Sequence, residues 1–170
     1  AVQGPPGTGK TYVGSHVIAR LVAEKGFRVG VVAQSHAVVE NMLKKADTIL
    51  IGGGMAFTFF KAKGLEIGKS LCEEDKVEFA SRMLDEAEKL GVRILLPTDV
   101  IVADEFRADS PWAHVSVDAI PSDKMGLDIG PKTAEAFTDV ILSSKTVLWN
   151  GPMGVFEMPA FSKGTEAVAR

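Results

Sequence analysis

Extended and helical patterns alternate along nearly the whole chain, and that alternation limits the available folds more than any other feature. The predicted strands are Ala1–Gln3, Arg28–Ala33, Thr48–Ile51, Arg93–Leu96 and Thr146–Trp149. Between them, apolar residues recur at helical spacing over Thr11–Glu24, Ser35 to about Ala46, Met55–Lys63, Glu73–Leu90, Pro131–Leu142 and Pro159–Ala169. Val77, Ala80, Met83, Leu84 and Ala87 mark the buried face of the longest of these. Strands joined by helices of this length pair in parallel with right-handed crossovers. The predicted fold class is therefore α/β, a three-layer Rossmann-like parallel sheet of about five strands with helices on both faces. Val100–Asp104 and His114–Val117 add a small peripheral hairpin. With 170 residues the chain reads as a single domain.

Ligands of such sheets bind at the carboxyl ends of the strands. Here those ends read QGPPGTGKT, AQSH, GGGM, PTD and NGPMG, and all but AQSH carry Gly or Pro. The first is the strongest signal. Gly4-Pro5-Pro6-Gly7-Thr8-Gly9-Lys10-Thr11 satisfies the phosphate-loop pattern in full. Its glycines let successive N–H groups point at phosphate oxygens, and the following helix adds its N-terminal dipole. Lys10 is placed to reach the outer phosphates and Thr11 to ligate Mg²⁺. The same stretch is read as a phosphate loop rather than a leader sequence.

Composition removes other classes. The net charge of −3 and pI of about 5.6 argue against a nucleic-acid partner held by bulk charge. Aromatic content of 7% offers few stacking platforms. No apolar run is long enough to span a membrane. The single cysteine, Cys72, excludes an intrachain disulfide and fits a cytoplasmic setting. His16, His36 and His114 have no metal-ligand spacing with one another or with Cys72. Charge is uneven: residues 1–46 carry +4, from six basic and two acidic side chains, and the remainder −7.

The content of the sequence changes at the same place. VQGPPGTGKT and AQSHAVVENML resemble the first βαβ unit of superfamily-1 helicases, over residues 1 to about 43. That resemblance implies that Ser35 and His36 lie near a single-stranded nucleic acid. KADTILIGGGMAFTFFKAKGLEIGKSL, GVRILLPTDVIVADEF, MGLDIGPKT and KTVLWNGPMGVFEMPAFSKGTEAVA resemble the C-terminal nucleotide-binding domain of phosphoglycerate kinase, over residues about 45–170.

The second resemblance implies a MgATP or MgADP site. Gly53 and Gly54 would line an adenine pocket, and Leu127, Pro152 and Val155 would pack on the base. Glu157 would accept hydrogen bonds from the ribose hydroxyls. Asn150 and the DIGPKT turn would lie near the phosphates. Against the family pattern, the opening strand with its lysine loop, the Gly-Gly-Gly-Asp helix start after Arg170 and the 3-phosphoglycerate domain are missing. The chain is accordingly read as an artificial chimera, spliced in a helix whose apolar face suits both cores.

The function expected is phosphate or nucleotide binding without catalysis. The alternatives are residual ATPase or phosphoglycerate-kinase-type transfer, and a ligand-free test of fold compatibility. Because the adenine pocket is drawn from several strands, the phosphate loop is expected to dominate binding, with poor discrimination among bases. An open sheet edge offers a place for a second copy to pair. VIVADE resembles an NTPase Mg²⁺-binding strand but falls in the peripheral hairpin, so no metal role is assigned to Asp104.

Overall fold

The structure is a computed structural model that describes residues 29–33, 39–40, 42–43 and 45–170. In chain order its strands are β1 (Val29–Ala33), β2 (Thr48–Ile51), β3 (Arg93–Leu95), β4 (Asp99–Ala103), β5 (Trp112–Ser116), β6 (Met125–Ile129) and β7 (Thr146–Trp149). Its helices are α1 (Gly54–Ala62), α2 (Val77–Leu90), α3 (Pro131–Ser143) and α4 (Lys163–Ala169). The predicted strand Ala1–Gln3, the helix Thr11–Glu24, the loop Gly4–Thr11 and the pair Ser35 and His36 lie outside the described residues.

Four strands form a parallel sheet in the order β3-β2-β1-β7. The register sets Val31 beside Ile49 on one side and beside Leu148 on the other, with Ile49 beside Ile94. All of β2 is buried, as a strand covered on both faces must be. Its side chains alternate between two cores. Ile49 and Ile51 join Val39, Met42 and Leu43, the α1 aromatics and the Ala80–Met83–Ala87 stripe of α2. Leu50 points the other way, into Ile129, Ala134, Phe137, Met153 and Val168 of β6, α3, α4 and the loop after β7. The helices thus cover both faces, and the three-layer α/β arrangement is the one expected.

Local signals explain the ends of α2. A 3₁₀ turn at Glu74–Lys76 leads in, its acids favoured by the helix dipole. Gly91 closes α2 in the left-handed conformation with φ of 69°. In α1 every residue from Met55 to Phe60 is buried, so this helix is enclosed rather than amphipathic.

Two expectations are corrected. The peripheral hairpin is a three-stranded antiparallel sheet in the order β5-β4-β6. Its third strand, β6, occupies the stretch read from sequence as part of a turn motif. Gly126 and Asp128 replace apolar residues that would have marked a strand. Gly126 is needed because Phe57 packs on it; a Cβ there would lie 2.1 Å from the ring. The last helix starts at Lys163 rather than Pro159, since Met158–Ser162 turns and caps instead.

Candidate functional site

The loops after β2 and β7 meet over the carboxyl end of the parallel sheet. Gly53 adopts φ of 63°, a left-handed value that other residues rarely take, and its N–H donates to the Met153 carbonyl at 3.0 Å. Gly52 sits under the Met153 side chain, where a Cβ would come within 2.6 Å of Sδ. Opposite these loops stands β6. The Val155 N–H donates to the Leu127 carbonyl at 2.9 Å, which fastens the β7 loop to the antiparallel sheet. Between them opens a crevice of about 500 Å³.

Six residues named from sequence line this crevice together: Gly53, Gly54, Leu127, Pro152, Val155 and Glu157. They come from three separate segments, and the geometry sets glycine backbone, apolar side chains and one exposed carboxylate around a common space. The walls are mostly hydrocarbon, with Ala56, Phe57, Val100 and Met125 at the back and Leu71 and Phe106 at the mouth. This is the composition expected of a site for a flat, partly apolar ligand with a few polar anchors.

Two other expectations concern the phosphate end. Asn150 follows β7 but is not among the lining residues. The DIGPKT turn divides. Asp128 and Ile129 line the crevice, whereas the N–H groups of Lys132 and Thr133, which open α3, both donate to the carboxylate of Asp99, at 3.0 and 2.7 Å. The Thr133 hydroxyl adds a bond to that carboxylate at 2.5 Å, and His114 Nε2 lies 2.6 Å from its other oxygen. An internal anion therefore occupies the N-terminus of α3, where a ligand phosphate would otherwise be attracted.

Lys69 was missed. It is the one basic side chain among the crevice-lining residues, and its main-chain N–H is held by the Lys124 carbonyl at 2.7 Å. Its signal lay in GLEIGKSL, where a glycine precedes a lysine and the next serine is buried. That serine, Ser70, accepts the Gly126 N–H at 2.8 Å and so locks the lysine's segment to β6.

Two buried carboxylates differ sharply. Burial alone would raise Asp99, but the hydrogen bonds from Thr133, His114 and Lys132 hold it below the usual carboxylate range. Asp128 is pushed up to about 6 by burial, only partly offset by the N–H groups of Gly164 and Ile129. Asp104, just after β4, pairs with Lys124, and neither is among the crevice-lining residues. Among the described residues no three His, Cys, Asp or Glu side chains come together as metal ligands. No helix among them is long and apolar enough to cross a membrane.

The fold is that of an α/β domain whose crevice opens at the strand carboxyl ends. The sequence profile described as "Phosphoglycerate kinase" matches residues 30–170, and the chain belongs to that family. It is 55% identical over 139 residues to the phosphoglycerate kinase of Thermosynechococcus vestitus, covering 82% of this chain and 35% of that one. It is 56% identical over 133 residues to that of Chloroherpeton thalassium, covering 78% and 34%. The phosphoglycerate kinase structure from Coxiella burnetii superposes with a TM-score of 0.84 at 37% identity, covering 92% of this chain and 42% of that one. The Pyrococcus horikoshii structure gives 0.74 at 28% identity, covering 93% and 42%.

The chain spans about a third of the length of the curated relatives it matches. The family match begins at residue 30, not near 45. It therefore takes in residues 30–33 of β1 and the helical residues Val39, Glu40 and Met42, within the stretch expected from sequence to resemble a helicase.

Proposed function

We propose that this chain binds an adenine nucleotide in the crevice between the β2 and β7 loops and β6. One observation carries the reading: six residues chosen from sequence for that role, from three segments far apart in the chain, line one cavity. Leu127 and Val155 supply apolar contact to the base, and Gly53 and Gly54 allow close approach. Glu157 accepts from the ribose hydroxyls, and Lys69 meets the phosphates. Mg²⁺ would travel with the nucleotide, held by phosphate oxygens, since the described residues offer no metal-ligand cluster of their own.

This reading departs from the expectation of poor base discrimination. ATP should bind at least tenfold tighter than GTP, a difference of about 1.4 kcal/mol. Isothermal calorimetry with ATP, GTP and inorganic triphosphate tests it; equal affinities for all three would overturn it. Glu157→Ala should weaken adenosine and ADP alike, and Lys69→Ala should weaken ADP much more than adenosine.

A second reading rests on the complete phosphate-loop motif at Gly4–Thr11. In that reading the chain joins a helicase-like loop to a kinase-like crevice and carries two separate phosphate-binding places. Lys10→Ala then weakens triphosphate while leaving the preference for adenine intact. Pairing of a second copy along a sheet edge belongs with the same reading. Among the described strands of the parallel sheet β3 and β7 are outermost, and sedimentation at several concentrations tests whether either is used.

A further inference from the structure

The crevice and its neighbour share a wall. A second groove of about 640 Å³ runs between α3, α4 and the antiparallel sheet, and Asp128 and Ile129 line both spaces. Asp128 is buried, sits directly after Leu127 in β6, and carries a carboxyl group that none of the roles above requires.

Three elements converge on this carboxyl group. Its Oδ2 accepts the N–H of Gly164 at the start of α4, at 2.8 Å. Its Oδ1 accepts the N–H of Ile129 at 2.9 Å, which fixes the rotation of the side chain on its own strand. Gly154, in the loop that delivers Pro152, Val155 and Glu157 to the crevice, lies so close that a Cβ would stand 2.2 Å from Oδ1. A Cβ on Gly164 would stand 2.4 Å from the same atom. Two glycines on two different elements thus make room for one carboxylate. Nearby, the Met153 N–H donates to the Thr165 hydroxyl at 2.9 Å, so the loop is held from α4 as well as from β6.

A hydrocarbon side chain could fill this space, but it could not accept two N–H groups at once. Burying a carboxyl group is costly, and its burial alone pushes this one toward the neutral form. Such groups are found where orientation matters more than stability.

We infer that Asp128 is a positioning residue for the base-and-ribose half of the crevice: it joins β6, the Gly154 loop and the start of α4, and so sets the separation of Leu127 from Val155 and Glu157. This inference rests on the adenine-nucleotide reading above. It predicts a loss confined to one half of the ligand, because Lys69 is tied to β6 through Ser70 and Gly126 and not through the Asp128 carboxyl group.

The test uses the full 170-residue chain with Lys10→Ala, so that the loop at Gly4–Thr11 makes no contribution. Into this background go Asp128→Asn, Asp128→Ala, Gly154→Ala and the pair Asp128→Ala with Gly154→Ala. Affinities for ADP, adenosine and inorganic triphosphate are measured by calorimetry, and backbone amide exchange is followed at Val155 and Gly164. Asp128→Ala should weaken ADP and adenosine at least tenfold and triphosphate less than twofold, and exchange at both amides should quicken. Asp128→Asn should fall between, since its amide can accept only one of the two N–H groups well. Gly154→Ala should weaken ADP strongly alone and less than twofold more when Asp128 is already alanine.

Parallel losses for all three ligands, or unchanged ADP binding, would overturn the inference. If the parent chain binds none of the ligands, the nucleotide reading fails by itself. Amide exchange then still decides on the joint: quickening at Val155 and Gly164 upholds it, and unchanged exchange overturns it.

Discussion

Two aspartates, one lining the crevice and one next to the lining residue Val100, show how far environment can separate identical groups. Asp99 is buried but surrounded by donors that favour its ionised form, and its pKa is lowered. A carboxylate whose pKa falls on folding adds stability above its unfolded value of 3.8, and that stability is lost as pH drops through the folded value. Asp128 behaves oppositely. With a folded value of about 6 against 3.8 unfolded, the native state holds the proton more tightly, so its contribution is full below 3.8 and is lost as pH rises through 6. The difference corresponds to about 3 kcal/mol. Urea midpoints measured from pH 3 to 8 should fall at the acid end and also decline between pH 4 and 6. Asp128→Asn should abolish the second decline and leave the first. Asp99→Ala should cost about 2–3 kcal/mol at pH 7, because it strands the N–H groups of Lys132 and Thr133. Neither behaviour could be read from sequence: both residues stand beside short apolar runs, and only the tertiary placement of Thr133 and Gly164 separates them.

Among the elements, β6 was the one most hidden. Met125, Leu127 and Ile129 alternate as a strand should, yet Gly126 and Asp128 between them look like a turn. Both exceptions come from tertiary neighbours, Phe57 over the first and Gly154 and Gly164 around the second. The parallel strands and α2 were legible because apolar period and stop residues agree there: Gly91 ends α2 and β2 is apolar but for Thr48. Gly126→Ala tests the account of β6. It should destabilise the fold by about 1–3 kcal/mol, as overpacking does. Most of that loss should be recovered when Phe57→Leu is added, and thermal melts of the two variants settle the matter. Simple additivity of the two changes would show that the ring is not what demands the glycine.

At the scale of the molecule, the crevice was more legible than the extent of the family match, which begins at residue 30. Gly53, Gly54, Leu127, Pro152, Val155 and Glu157 could be named because each sits within a family motif, and the fold brings them together. Asn150 belongs to the same motif and follows β7, but it is not among the lining residues. As a 170-residue polypeptide the chain should show no phosphoglycerate kinase turnover. Phosphoryl transfer depends on positioning both substrates, and this chain spans about a third of the length of its relatives. A coupled assay checks this; turnover that disappears with Glu157→Ala or Lys69→Ala would contradict it.

The placement of the crevice has a consequence for how the molecule comes apart. One side of it is built by α1 and the loops that follow β2 and β7, the other by β4 and β6 of the antiparallel sheet, so an occupant would be gripped from both sides at once. Proteins open in contiguous cooperative units. A ligand touching both sides is released when either opens, so filling the crevice ties the two together. Calorimetric melts should then sharpen as nucleotide is added, with the measured enthalpy approaching the van't Hoff value, and the midpoint should rise with the logarithm of ligand concentration.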